Sequence, residues 1–246
     1  MNTQQNYLAW AQSSKKSGIG RALKRWVEKT YLSAICDALG ERAGAPASVS
    51  LLEIGPGNGE FAHEAISFGF SYSAIERSPV LAQELRERGI DCIHSAFPGR
   101  VEELSGRQFD CIYLSHVLEH QDTRQEAVDF IAAVAELLAP GGICVINCPN
   151  VLSHGLLFWN SDYTHNFITT PLRVRNLLID QGFDIVLERR MRFGFWSWLP
   201  RGIVAVCGSL VRPWMLAPVA RLFIKGYPND PRIFFRENFT VIARRS

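Results

Sequence analysis

The chain has 246 residues, 47% apolar and 20% charged. That is enough for one large domain with a sizeable core, and it excludes a mostly disordered, collagen-like or coiled-coil chain. With 26 Lys and Arg against 24 Asp and Glu, the net charge is +2, so no global basic field points to a nucleic-acid partner. None of the six cysteines forms a C-x-x-C pair and most lie in apolar runs. They read as reduced core thiols of a cytoplasmic protein, and no metal site is expected. No apolar run follows Lys15, the first basic residue, as it would in a secretory leader. The charge-free apolar stretch at 202–211 is half of the roughly 20 residues that a membrane span needs.

Residues 1–18 are polar. Helical spacing follows over 20–39, where Leu23, Trp26, Val27, Tyr31, Ile35 and Leu39 share one face, and Gly-Ala-Pro-Ala at 44–47 ends it. Strands and helices then alternate. Strands are predicted at 49–54, 72–76, 90–94, 109–114, 142–148, 183–188 and 239–243, and helices at 60–68, 80–88, 123–138 and 171–181. Strands separated by helices of this length form a parallel, doubly wound sheet covered on both faces. Such sheets bind ligands at the carboxyl ends of their strands, near the switch point.

The run Glu53-Ile-Gly55-Pro56-Gly57-Asn58-Gly59 ends the first strand and opens a helix. Glycines there let the backbone turn tightly and approach a ligand. Glu76 ends the next strand, where a carboxylate can accept hydrogen bonds from ribose hydroxyls. The dinucleotide fingerprint G-x-G-x-x-G fails because residue 60 is Glu. An acid at that helix start opposes a pyrophosphate, so the ligand reads as a nucleoside without phosphates.

Together, LLEIGPGNG, AIERS, FDCIYLSHVLEHQ and ELLAPGGICVINCPN, in this order and spacing, resemble the class I S-adenosylmethionine-dependent methyltransferases. The resemblance runs from about residue 48 to 188 and takes in the final strand. It implies a Rossmann-like α/β fold with a seven-stranded sheet, mostly parallel, whose last strand is antiparallel. It also implies S-adenosylmethionine as cofactor. Glu53, Gly55, Pro56, Gly57, Asn58 and Gly59 would hold the methionine moiety, Glu76 with Arg77 the ribose, Ser95 and Ala96 the adenine, and Ser115 and His116 the cofactor floor. Radical chemistry with the same cofactor needs three cysteines on an iron–sulfur cluster, and Cys144-x-x-x-Cys148 has no third member at 151. Amino-methylating DNA enzymes carry Asn/Asp-Pro-Pro-aromatic after the fourth strand, where this chain reads Ser115-His116-Val117-Leu118.

On the acceptor side the candidates are histidines. His116 is either cofactor floor or structural, and His120 either caps a helix or faces substrate. His165, in Asp162-Tyr163-Thr164-His165, follows the fifth strand and so opens at the same face. It is either a general base oriented by Asp162 or a loop cap. The run D-Y-T-H followed by F-x-T-x-x-x-L resembles a D-x-T-H segment of methyltransferases of glycan and surface-polysaccharide biosynthesis.

The last two strands are separated by a long insertion. From 189 to 229 there are seven basic residues and no acid, interleaved with Phe193, Phe195, Trp196, Trp198, Trp214 and Phe223 and broken by Pro200, Pro213 and Pro218. Such a stretch suits a packed cap or homodimer contact, or a peripheral membrane or lipid-carrier contact through 193–225 at the inner face of the membrane. The expected organisation is thus an N-terminal helical segment (1–47), a cofactor-binding core (48–188), the insertion (189–237) and the returning strand (238–246). The expected activity is O-methylation of a sugar hydroxyl in a surface-polysaccharide or lipid-linked glycan precursor. The alternatives are methylation of a soluble small metabolite, or a non-catalytic cofactor-binding scaffold.

Overall fold

A computed structural model describes residues 18–99, 104–192 and 236–246. The chain runs α1 (Gly18–Leu39), β1 (Ser50–Ile54), α2 (Glu60–Phe68), β2 (Ser71–Glu76), α3 (Pro79–Glu87), β3 (Cys92–His94), β4 (Phe109–Ser115), α4 (Arg124–Leu137), β5 (Leu138–Pro149), α5 (Val151–His154), α6 (Leu157–Ser161), α7 (Pro171–Asp180), β6 (Phe183–Arg192) and β7 (Glu237–Arg245). The seven strands form one sheet of order β3-β2-β1-β4-β5-β7-β6. β1 to β5 pair in parallel, and β7 lies antiparallel between β5 and β6. The expected α/β sheet with its reversed last strand is therefore present.

Consecutive strand residues point to opposite faces, so each central strand feeds two cores. Leu51, Tyr113, Val145 and Ile242 pack with Tyr31 and Ile35 of α1, Phe61 of α2 and Leu85 of α3. Their neighbours Leu52, Ile112, Ile146 and Val241 pack with Phe130 and Val134 of α4 and Val174 and Leu178 of α7. This explains why the strands read as near-continuous apolar runs. α1 lies flat on the first face, with Ile35 fully buried. Its end is tied to the sheet where Arg244 donates to Ala38 O at 2.6 Å and Arg42 to Pro140 O at 3.1 Å.

Helix starts follow local chemistry. Ser78, Thr123 and Thr170 accept the N–H of Leu81, Glu126 and Arg173 and cap α3, α4 and α7. Some boundaries differ from expectation. β5 begins at Leu138, ahead of the Pro140-Gly141-Gly142 turn residues, because residues 138 and 109 already pair. β6 reaches Arg192 and β7 begins at Glu237, paired to each other. The two strands thus extend into the expected 189–237 insertion, whose remaining stretch 193–235 lies outside the described residues. So does the expectation of short helices there.

The strand order reverses between β1, which leads to β2 and β3, and β4, which leads to β5. Loops leaving β1 and β4 diverge at this point, where doubly wound sheets form their ligand crevice at the carboxyl edge.

Candidate active site

The loop after β1 turns through positive φ at Gly55, Gly57 and Gly59. Gly59 caps α2 in the left-handed region, and a Cβ there would stand 2.5 Å from Leu85 Cδ2, so a side chain would be strained and would displace Leu85. The loop is braced from two sides. Arg88 donates to Asn58 O at 2.8 Å, and Glu76 Oε2 accepts the Gly57 N–H at 3.1 Å. Glu76 Oε1 accepts the Ser78 N–H at 2.8 Å. Burial pushes this carboxyl above its usual range, while those backbone donors pull the other way. Each oxygen keeps a lone pair for a further donor such as a ribose hydroxyl. Glu53 is buried in β1, accepting the Tyr72 hydroxyl at 2.5 Å. Arg77 and Ala96 are exposed and Ser95 half-buried at the neighbouring strand ends.

At the end of β4 the backbone is strained. His116 has φ +57, a conformation that costs a side-chain-bearing residue on the order of 1 kcal/mol or more. The neighbours enforce it: the His116 N–H reaches Asn147 O at 2.9 Å, and Asn147 in turn donates to Ser115 Oγ at 3.1 Å. His116 Nδ1 donates to Glu119 Oε1 at 3.0 Å, and Nε2 accepts from Asn238 Nδ2 at 3.4 Å. Asn238 Oδ1 accepts from His154 Nε2 at 3.2 Å. A directed chain His154→Asn238→His116→Glu119 therefore links α5 and β7 to the site.

Glu119 is fully buried. Burial alone would raise its carboxyl, but the His116 hydrogen bond and the two adjacent imidazoles more than offset this and hold it below the usual range. Its Oε2 accepts from no N–H or O–H group. The Cys148 thiol beside it is pushed well up, first by burial and then by the Glu119 charge.

The Asp162–His165 turn lies against this group, tied down by the N–H groups of Asn166 and Phe167 on Glu119 O, both at 3.0 Å. The expectation that Asp162 orients His165 is corrected. Asp162 Oδ1 accepts the N–H and hydroxyl of Thr164, at 2.9 and 2.7 Å. With its only proton so committed, Thr164 Oγ1 accepts from His120 Nδ1 at 2.8 Å. Asp162 thus orients His120 through Thr164. His165, buried, instead donates Nδ1–H to Phe158 O at 2.6 Å. Burial keeps it below its ordinary pKa, outweighing the pull of Glu119. The rings of His120 and His165 meet edge to face at 4.9 Å.

Sequence reasoning had both histidines but missed what joins them. Glu119 was legible as the i+3 partner of His116 one turn past the strand. Asn147, Asn238 and His154 carried no pattern, and Thr164 stood out only as the T of the D-x-T-H run. No metal site was expected, yet Glu119, His120 and His165 each bring a donor atom within 4.8 Å of the others. The arrangement offers oriented imidazoles and a buried carboxylate, suited to taking a proton or holding a cation.

A family model described as a methyltransferase domain matches residues 23–188. No curated protein matches the chain. Solved structures are similar in fold. A SAM-dependent methyltransferase from Archaeoglobus fulgidus superposes with TM-score 0.60 at 16% identity, covering 92% of this chain and 94% of that one. Magnesium protoporphyrin IX methyltransferase from Synechocystis PCC 6803, solved with SAH, gives 0.62 at 14%, covering 100% and 95%. The N-methyltransferase NodS from Bradyrhizobium japonicum WM9, also with SAH, gives 0.54 at 14%, covering 87% and 86%.

Proposed function

Because this chain belongs to the methyltransferase-domain family, we propose that its crevice binds S-adenosylmethionine and that the polar cluster beside it presents an acceptor oxygen to the sulfonium methyl. The observation that carries this is the glycine loop closed onto Glu76, with the Gly57 N–H on Glu76 Oε2 at 3.1 Å. That contact sets a carboxylate and an open backbone loop at the switch point of the sheet. Glu76 takes the ribose hydroxyls, the Gly55–Gly59 loop and Glu53 the methionine end, Ser95 and Ala96 the adenine, and Ser115 and His116 the floor.

The methyl on a sulfonium is already activated, so the protein chiefly aligns a nucleophile with it and excludes water. A hydroxyl acceptor also has to lose its proton. His120, half-buried and aligned through Thr164, and His165, aligned by the Phe158 carbonyl, are placed to assist. The acceptor we favour is a sugar hydroxyl of a surface-polysaccharide or lipid-linked glycan precursor. It is supported by the D-Y-T-H turn, whose Asp and Thr orient His120. The comparison structures, which include a porphyrin and an N-methyltransferase, carry no preference among acceptors, and a soluble small metabolite is the second reading.

The test is calorimetry with S-adenosylmethionine, followed by transfer of labelled methyl to sugar-nucleotide and lipid-linked glycan extracts. Saturable cofactor binding is expected. His165→Ala should lower kcat by ~10² or more with cofactor affinity unchanged. Full activity in that variant would return the residue to a loop cap.

A further inference from the structure

Glu119, His120 and His165 lie 46 residues apart at the extremes of the trio, yet each offers a donor atom within 4.8 Å of the other two. We infer that they form a site for a divalent transition-metal cation, held by Glu119 Oε2 and the Nε2 atoms of His120 and His165. The hydrogen bonds select those atoms. His165 Nδ1 is committed to Phe158 O, His120 Nδ1 to Thr164 Oγ1, and Glu119 Oε1 to His116. What remains is one lone pair on each imidazole and the lone pairs of Glu119 Oε2, which is buried and accepts from no N–H or O–H group.

Each donor is oriented by a partner behind it. Phe158 O backs His165, the Thr164–Asp162 pair backs His120, and the His116–Asn238–His154 chain backs Glu119. This is how metal sites fix imidazole tautomers and carboxylate direction. Two imidazoles and one carboxylate favour zinc and its first-row neighbours over magnesium or calcium, which prefer all-oxygen sets. Donors of a tetrahedral zinc stand roughly 3.3 Å apart, so side-chain rotation closes the trio onto an ion. Three protein ligands leave a fourth position open, as reactive zinc sites do, and His120, the least buried of the three, lies on the accessible side.

Cation binding stands independently of the cofactor. Its role rests on the methyltransferase reading: an acceptor oxygen in the open position would release its proton to solvent and attack the methyl carbon. The O–C bond would form as the C–S bond breaks and its electron pair returns to sulfur. An imidazole nitrogen that holds the ion cannot also take the acceptor's proton, so chelation should abolish transfer if the site works through a cation and leave it intact if the histidines act as bases.

The test titrates chelator-treated, tag-free protein with Zn²⁺ alone by calorimetry, checking each variant's fold by circular dichroism. One ion per chain is expected. Affinity should fall at least ~100-fold in His165→Ala and in His120→Ala, and about 10–100-fold in Thr164→Val, which removes only the group behind His120. His63→Ala, on an exposed histidine elsewhere, should leave it unchanged. Absence of saturable binding, or equal binding by wild type and both folded histidine variants, would overturn the site. A parallel titration with S-adenosylmethionine separates the two proposals. Zinc without cofactor binding rejects the methyltransferase reading alone, and cofactor without zinc binding rejects the cation site alone.

Discussion

Gly57 has φ +55 and sends its N–H to Glu76. A side chain is strained at this φ and would crowd the loop proposed to hold the cofactor. Gly57→Val should abolish S-adenosylmethionine binding with the fold retained. Glu76→Ala should weaken it by about 1.5–3 kcal/mol, the scale of hydrogen bonds to a charged group. Unchanged calorimetric affinity in both would reject the cofactor site. His154 carries a different signature. Burial, helped by the like charges of His116, Arg236 and His165 and resisted only by its Asn238 hydrogen bond, lowers its pKa to about 4 from an unfolded value of 6.5. The folded state therefore takes up its proton later than the unfolded state does. Stability is complete above about pH 6.5 and is lost as the pH falls towards 4, by roughly 3 kcal/mol. Urea unfolding at pH 7 and pH 4.5 measures this, and His154→Gln should narrow the gap between the two midpoints.

At the scale of elements, periodicity located α1, and Val27, Tyr31, Ile35 and Leu39 of its expected face are buried while Trp26 is exposed. Its apolar stripe sets Tyr31 and Ile35 against the same sheet face as Leu51 and Val145. Ile35→Ala should cost about 2–5 kcal/mol, read as a lower urea midpoint at unchanged slope, because Ile35 is fully buried. A loss below about 0.5 kcal/mol would mean that α1 does not dock on the sheet. The segment after β5 was harder to read. Two short helices, α5 and α6, and the Asp162–His165 turn have too few residues for a hydrophobic period. Their conformation comes from side-chain bonds instead, such as the Asn150 cap on Leu152 and the Asp162 bonds to Thr164.

For the whole molecule, the sheet order places every loop of the site on one edge, and no helix among the described residues is long and apolar enough to cross a membrane. The basic, aromatic stretch 193–225 lies outside the described residues. Of the seven basic residues counted in sequence, Arg189, Arg190 and Arg192 belong to β6, and Arg190 stands 3.8 Å from Glu237. Arg201, Arg212, Arg221 and Lys225 are left among Trp196, Trp198 and Trp214. If this stretch meets a membrane, cosedimentation should rise with anionic lipid, since each such residue contributes ~1 kcal/mol near a charged bilayer. It should fall only partly at high salt, because buried aromatic surface is not screened. Absence of both cosedimentation and a tryptophan fluorescence shift would leave a cap or dimer surface and favour a soluble acceptor.

The alternation of apolar strands and amphipathic helices, the glycine loop and the acid 19 residues after Gly57 were determined by the sequence itself. Each depends on neighbours along the chain, where period, turn chemistry and capping act directly. The seven-stranded sheet and the glycine loop with its neighbouring acid were therefore legible. The cluster around Glu119 was decided by tertiary structure. Asp162 lies three residues from His165, yet its carboxylate bonds Thr164, and the trio of Glu119, His120 and His165 exists because β4 and β5 are paired neighbours whose loops emerge side by side. His154 and Asn238 join it across 84 residues through the antiparallel return of β7. No linear spacing encodes such a meeting, because the hydrogen bonds that fix it form only once the sheet has closed.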